Sequence, residues 1–319
     1  MDRVLLAGFA VVIVPAFMVG YILLTEWVVG RLPKRVGTRT RPWLWLLPAL
    51  AFLIVFLIYP TIATIIRSFF DASGRNYIGL GNYERFFSQP ATLGALGNNV
   101  IWMILLPLIC VSLGLLIAIL VDRVRYESIA KSVIFLPMAI SFVAASVIWR
   151  LVYNFNPNVG ILNAGIDAVG GDPIPWLTTT GLTTFALIVV GAWMQTGFAM
   201  VILSAGLKGI STELLEAARV DGATERQVFR RIIFPLLLPT IAVIATTLII
   251  FALKTFDVVY VLGQNGNFGT EVIANRMYKE LFSDGQPGRA SSTAVILLLA
   301  VIPIMLYNIR RFREQEAIR

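Results

Sequence analysis

The most polar internal stretch of the chain, residues 214–235, contains residue types that favour contact with another protein. Glu216 stands beside the small residues Ala217 and Ala218, which leave a surface that a second protein can approach closely. Asp221 and Gly222 follow, and this pair is typical of a turn because glycine tolerates a positive φ and aspartate favours turns. The pattern predicts a docking surface that ends in a tight turn.

Two helices are predicted to position this turn. Ser211 or Thr212 can cap a helix over 212–220. Thr224 starts a second helix, and Gln227, three residues later, completes a capping box. We therefore expect a rigid helix–turn–helix protrusion. A solvated loop anchored by basic residues at the membrane edge is the alternative interpretation.

The rest of the chain is predicted to consist largely of membrane helices. Of its 319 residues, 58% are hydrophobic and 14% are charged, whereas soluble domains carry roughly 25% charged residues. A bilayer core ~30 Å thick needs ~20 apolar residues in a helix. Backbone polar groups in lipid must be paired within a helix or a closed barrel, which favours an all-α, polytopic helical membrane protein. Seven spans are predicted, at 4–24, 43–66, 98–121, 132–150, 183–206, 236–254 and 291–309.

The residue inventory excludes several kinds of site. The chain has no histidine and one cysteine, Cys110. A His/Cys metal site, a histidine-based catalytic triad and an intramolecular disulfide are therefore excluded, and we predict neither catalytic residues nor a bound metal. The formal charge is +8, and the basic residues lie mostly in particular loops. This distribution indicates membrane topology rather than nucleic-acid binding.

The basic residues also predict the orientation of the chain. They crowd into 31–41, 122–131, 208–231 and 310–319, whereas 151–182 has no Lys or Arg. The four basic segments lie on one side if seven spans alternate. The positive-inside rule then places the N-terminus outside and the C-terminus in the cytoplasm. Because the basic cluster follows the first apolar run, we expect a retained helix rather than a cleaved signal peptide.

One motif in the polar stretch resembles the EAA loop of ABC importer permeases, written EAA-x3-G-x9-I-x-L-P. Here it reads EAARVDGATERQVFRRIIFP, residues 216–235, with Phe234 in place of the usual Leu. The order of the spans and GLGNYERFF at 79–87 extend the resemblance to permeases of the maltose-transporter type. Segments such as SFVAASVIWRLVYNF, 141–155, are most similar to the alpha-glucoside (AglF-like) branch.

The resemblance implies a type I ABC importer permease core that is not itself an enzyme. In such importers the loop helix docks on a cytoplasmic ATPase, whose ATP-driven closure reorients the membrane helices. The ATPase-coupling residues would be Glu216, Ala217, Ala218, Asp221 and Gly222. The chain has no G-x-x-x-x-G-K-[ST] phosphate loop, so ATP-Mg would be used by the partner ATPase and no cofactor is expected on this chain.

The same resemblance implies the partners and the domain organisation. A second permease subunit, related but different, two copies of the ATPase and an extracytoplasmic sugar-binding protein are expected in the lipid bilayer, without nucleic acid. Residues 1–42 would form an extra N-terminal transmembrane helix with a basic cytoplasmic linker. Residues 43–319 would form a six-helix permease domain with a cytoplasmic coupling loop at 207–235.

Uncharged polar and aromatic residues within the spans predict the substrate path. A sugar needs hydroxyl and amide partners and aromatic faces, and the candidates are Gln195, Trp193, Phe198 and Ser141. Gly191, Gln195 and Phe198 share one helix face because they are spaced i, i+4, i+7. For each residue, packing between transmembrane helices is the alternative role. Lys254 and Asp257 lie at the outer end of the sixth span. They can either contribute to the path or form an ion pair with each other.

We therefore expect a permease subunit that forms half of the pathway of an ATP-driven importer for sugars, of the alpha-glucoside class. An ion-coupled secondary transporter of a neutral solute is the alternative. No span carries Asp or Glu near its middle, where proton-coupled carriers place such residues. Paired internal repeats, frequent in secondary transporters, are not evident.

Overall fold

The computed structural model describes residues 3–122 and 124–317. Arg123 and Arg319, which belong to two of the predicted basic segments, lie outside the described residues. Within that range the regular structure is helical apart from one isolated antiparallel bridge, between Phe70 and Tyr77. The predicted all-α class is confirmed. The chain divides into two compact units, residues 1–66 and 67–319, which are described separately.

The first unit is a helical hairpin whose second arm is a long, continuous helical segment. Helix α1 (Arg3–Arg31) ends at a short turn, and Pro33, which has no N–H to leave unpaired, precedes α2 (Lys34–Leu53). A π-helical turn continues α2 into α3 (Tyr59–Arg67), so the boundary predicted at residue 42 lies within a helix.

In the second unit, α5 (Pro90–Val121) and α9 (Leu182–Lys208) pack closely at the core. A Cβ on Gly114 would lie 2.9 Å from Ala199 Cβ, so the glycine permits the close approach of the two helices. Helix α12 (Phe234–Leu253) also packs on α5. There the buried Asn99 donates to the Leu253 carbonyl at 3.1 Å. This bond pairs a carbonyl at the C-terminal end of α12.

The predicted fourth span is broken rather than continuous. Helix α6 (Glu127–Phe135) leads through a 3₁₀ turn containing Pro137 to α7 (Phe142–Val152), and the two parts meet at 101°. Proline at 137 disrupts the helical hydrogen bonds. Ile140 is extended, and the Ser141 hydroxyl accepts a hydrogen bond from the Ala144 amide at 3.2 Å to start α7.

Five helical segments of the described residues are long and apolar enough to span a membrane, and the bent α6–α7 pair is a sixth. The predicted span 4–24 falls within α1. Six of the seven predicted spans therefore coincide with continuous helical segments, and the fourth coincides with the bent α6–α7 pair. The five segments are Lys34–Arg67, Pro90–Val121, Leu182–Lys208, Glu225–Val261 and Pro287–Tyr307, the last lying within α15 (Pro287–Ala317).

Short helices connect these spans. Buried asparagines fix two of the connections: Asn82 donates to the Ser68 carbonyl at 2.9 Å, and Asn163 donates to the Ile174 carbonyl at 3.0 Å. The predicted coupling loop contains two of the short helices. The connecting helices are α4 (Gly81–Ser88), α8 (Ile161–Ala168), α10 (Thr212–Val220), α11 (Glu225–Val228), α13 (Asp257–Val261) and α14 (Ile273–Tyr278).

Candidate functional site

Helix α10 occupies the predicted range 212–220 and ends in a Schellman motif. The Ala223 amide donates to the Ala218 carbonyl and the Gly222 amide donates to the Arg219 carbonyl, both at 3.0 Å. Gly222 has φ +81°, a left-handed conformation that strains a residue with a Cβ. The predicted turn at Asp221–Gly222 is confirmed, and its backbone conformation favours glycine.

The second half of the turn is fixed by side chains. Thr224 and Gln227 form the predicted capping box at the start of α11, with the Thr224 amide donating to Gln227 Oε1 at 2.8 Å. Arg219 donates to the Glu225 carboxylate across the turn, which raises the pKa of Arg219. Ser211 stands at the N-cap of α10 without a side-chain capping bond. The helix–turn–helix protrusion is therefore held at both sides of Gly222.

The predicted coupling residues lie on the surface of this protrusion. Ala218 is half-buried, and the others are exposed: Glu216, Ala217, Asp221 and Gly222. Leu214, Ala217, Ala218 and Asp221 share a helix face by their i, i+3, i+4, i+7 spacing.

Two large apolar residues of α10 are also exposed, and we did not single them out from the sequence. Leu214 is 46% exposed and Val220 is 87% exposed. Their exposure at the protrusion gives α10 apolar surface that a protein partner can bury. Large apolar residues within the most polar internal stretch of the chain are a signal that could have identified them.

A polar cluster joins the helix before this loop to two neighbouring helices. Lys131 of α6 donates to Asp122 at 3.1 Å, and also to Glu127 and to Ser204 of α9. The Ser204 hydroxyl donates to Asp122 at 3.0 Å. Lys208, the last residue of α9, donates to Glu127 at 2.5 Å. The C-terminal end of α9 is thus linked to α6 and to the end of α5, four residues before α10 begins.

Two of the predicted substrate-path residues line one cavity. This inner cavity, of about 330 Å³, is bounded by α9, α12 and the bend before α7. Gln195 is 8% exposed and Phe198 is half-buried. The cavity offers one amide, one hydroxyl and aromatic and apolar surface, which suits an uncharged solute. Its lining is Met138, Phe142, Met194, Gln195, Phe198, Thr247, Leu248 and Phe251.

An outer cavity of about 380 Å³ shares Phe142, Thr247 and Phe251 with the inner one. Gly191 lines this cavity, so the predicted Gly191–Gln195–Phe198 face is divided between the two cavities. Lys254 and Asp257 also line it, and no ion pair joins them among the described residues.

The other two predicted path residues lie elsewhere. The half-buried Trp193 ring packs edge-on against Trp149, with centroids 5.7 Å apart. Ser141 caps α7, as described above, next to Phe142. Neither residue lines either cavity. Phe142 and Phe251, whose ring centroids lie 5.2 Å apart, line both cavities and were missed because aromatic residues are common throughout the spans.

A model of the family described as "Binding-protein-dependent transport system inner membrane component" matches residues 110–315, which include the helix–turn–helix protrusion and every residue that lines the inner cavity. The chain belongs to this family. It is therefore an integral membrane protein and a permease component of an ABC importer. This confirms the family that the EAA motif predicted. The family is distinct from the ion-coupled carriers that we weighed as the alternative.

Curated relatives of this permease come from several organisms. It is 52% identical, over 85% of this chain and 99% of the relative, to the osmoprotective compounds uptake permease protein GgtC of Synechocystis. It is 41% identical, over 88% of this chain and 85% of the relative, to the alpha-glucoside transport system permease protein AglF of Rhizobium meliloti.

A solved structure has the same fold as this permease. It is a bacterial alginate ABC transporter in complex with an alginate pentasaccharide-bound periplasmic protein. The superposed chain has a TM-score of 0.75 and 24% identity, and the match covers 87% of this permease and 95% of that chain. The predicted type I permease architecture is therefore supported at the level of the fold.

Proposed function

We propose that this permease forms half of the pathway of an ATP-driven sugar importer and receives the movement of a partner ATPase through α10. The observation that carries this proposal is the exposed motif helix, whose C-terminal turn is fixed by the Schellman motif, the capping box and the Arg219–Glu225 ion pair. A rigid protrusion transmits displacement, whereas a flexible tether absorbs it. Leu214 and Val220 supply apolar contact area beside the motif residues.

Movement of α10 would reach the membrane helices through the end of α9. Lys208 and Ser204 connect this end to Asp122, Glu127 and Lys131 on neighbouring helices. A push on α10 would therefore shift α5, α6 and α9 together rather than bend α9 alone.

The proposed assembly contains a second permease, related but different, two ATPase subunits that use ATP-Mg, and an extracytoplasmic sugar-binding protein. The complex of the alginate transporter with its periplasmic protein supports the last of these. The basic segments support an orientation with the N-terminus outside and α10 and the C-terminus in the cytoplasm.

The substrate class that we propose is a neutral alpha-glucoside such as maltose, sucrose or trehalose. The name of the AglF relative supports this class. The inner cavity does as well, because the amide of Gln195 and the hydroxyl of Thr247 can hydrogen-bond sugar hydroxyls while the rings of Phe142, Phe198 and Phe251 cover apolar sugar faces.

A zwitterionic osmoprotective compound is the second candidate. A relative at 52% identity is named for the uptake of osmoprotective compounds. The outer cavity also has both a cation, Lys254, and an anion, Asp257, that are not paired with each other among the described residues and that could each bind the opposite charge of a zwitterion.

Reconstitution of the permease with its partner subunits and binding protein tests both candidates. ATP-dependent uptake of radiolabelled trehalose, sucrose and maltose is compared with uptake of glycine betaine, for the wild type and for Lys254→Gln. Disaccharide uptake that is insensitive to K254Q supports the neutral sugar. Betaine uptake that K254Q abolishes favours the second candidate. Uptake of either solute by the permease alone, driven by an ion gradient, would contradict ATP-driven import.

A further inference from the structure

The basic segment 31–41 has no part in the proposed coupling or in the substrate path. It forms the turn and the first residues of α2 in the N-terminal unit, outside the region matched by the family model. Five basic residues lie in this segment: Arg31, Lys34, Arg35, Arg39 and Arg41.

A cavity of about 800 Å³ lies at this turn, between the end of α1 and the start of α2. Lys34, Thr38 and Arg41 supply its polar lining, and Val29, Trp45 and Leu46 supply apolar lining. The hairpin that forms it is closely packed, since a Cβ on the buried Gly37 would lie 3.2 Å from the Val29 carbonyl oxygen. Close packing of α1 on α2 therefore holds the two walls of the cavity together.

The charges of this hairpin are only partly balanced. Arg41 donates to both carboxylate oxygens of Glu26 at 2.8 Å, and the Arg31 guanidinium lies 3.6 Å from the centre of the Trp27 ring. In the described part of the chain, Lys34 and Arg39 have no carboxylate partner. The cavity therefore has an excess of positive charge, with Lys34 free to bind an anion.

Exposed apolar residues continue directly from the cavity along α2. Trp43 is 68% exposed, Trp45 is 43% exposed and Leu46 is 52% exposed. Tryptophan beside basic residues is typical of the boundary between lipid and water, where indole rings sit at the level of the headgroups. An occupant that carries an anionic group and an apolar chain fits both parts of this surface.

We propose that the cavity at the α1–α2 turn binds the headgroup phosphate of an anionic phospholipid. Lys34 contacts the phosphate from the cavity wall, and Arg41, held by Glu26, lines the same cavity two turns further along the same face of α2. The glycerol and the start of the acyl chains lie against Trp45 and Leu46. This site anchors the N-terminal hairpin to the leaflet on the side of the basic loops.

Lipid retention by the purified importer, containing the full permease, tests this site. The complex is equilibrated in mixed micelles containing equal amounts of phosphatidylglycerol and phosphatidylcholine, and native mass spectrometry measures the ratio of the two lipids retained. Lys34→Gln is expected to lower the preference for phosphatidylglycerol about tenfold, because it removes a charge-assisted contact to the phosphate. Arg125→Gln, which removes an exposed charge from another basic segment, is the matched control and is expected to leave the preference unchanged.

A second variant separates a built cavity from diffuse attraction. Thr38→Trp keeps every charge but fills the cavity, so it is also expected to lower the preference. An unchanged preference in T38W, or an equal loss in R125Q and K34Q, would overturn the proposal. Displacement of phosphatidylglycerol by excess inorganic phosphate would show that the site takes a free anion rather than a lipid. Elution of each variant with its partner subunits establishes that it is folded.

Discussion

Arg219 Nε lies 2.7 Å from Glu225 Oε1, so an ion pair joins the helix before the turn at Gly222 to the helix after it. The two side chains stand on either side of the residue with φ +81°. The turn therefore has two independent constraints, a backbone conformation that favours glycine and a side-chain bond that spans it. Both matter to function if α10 transmits force.

Replacement of Gly222 by valine tests the backbone constraint. The left-handed conformation costs a residue with a Cβ roughly 1–2 kcal/mol, so we expect the turn to rearrange and ATP-dependent uptake to fall by about tenfold or more. No atom lies within 4 Å of the added Cβ, so the amount of protein in the membrane should not change.

Gly170→Val is the matched control for this change. Gly170 has φ +78° and open space around it, but it lies in the connection after α8. Equal loss of uptake in both variants would mean that general strain, rather than the geometry of the coupling turn, causes the effect. Normal uptake by G222V would remove the turn from the mechanism.

Charge exchange at Arg219 and Glu225 tests the ion pair. Exposed ion pairs contribute little because solvent screens them, so Arg219→Glu and Glu225→Arg should each lower uptake by at most about fivefold. The double variant R219E/E225R restores the pair in reverse and should recover most of the uptake. If the double variant lost as much uptake as the two single variants combined, each residue would act separately, for example on the partner.

Substitutions in the inner cavity test the substrate path. Gln195→Leu removes one hydrogen-bonding group, and the KM for uptake should rise about three- to tenfold. Phe198→Ala should raise the KM to a similar extent through lost aromatic contact. Phe185→Ala, on the exposed side of α9, is the control for the second change. A KM unchanged by both cavity variants would move the path away from this cavity.

Loss of Lys131 tests the link between α9 and its neighbours. Lys131→Met removes the ammonium that joins Asp122, Glu127 and Ser204. We expect less solute transported per ATP hydrolysed, with the ATPase still bound. The exposed neighbour Ser132, changed to alanine, is the control. An unchanged ratio of transport to hydrolysis would make the cluster purely structural.

The sequence was most informative where local chemistry determines structure. The bounds of α10, the turn at Gly222 and the capping box at Thr224 and Gln227 follow from residues within a few positions of one another. The spans follow from the length of apolar runs, which the bilayer sets. Both kinds of signal are local, so one sequence is sufficient to read them.

The sequence was least informative where distant residues meet. The 101° bend in the fourth span depends on how α6 packs on α9 and α7 packs on α13, and Pro137 alone did not indicate it. Trp193 and Phe198 are both aromatic residues of α9, yet one packs on Trp149 and the other lines a cavity. Only the placement of neighbouring helices distinguishes them.

The most direct measurement of coupling through α10 is a cross-link from Val220 to the ATPase in membrane vesicles. The single cysteine, Cys110, is replaced by serine, and Val220→Cys is compared with Val169→Cys, which is similarly exposed at 85% but lies in the connection after α8. A short bifunctional maleimide–amine reagent should join the cysteine of V220C, and not that of V169C, to the ATPase subunit. Absence of the adduct from V220C, or equal adducts from both variants, would contradict docking of the ATPase on α10.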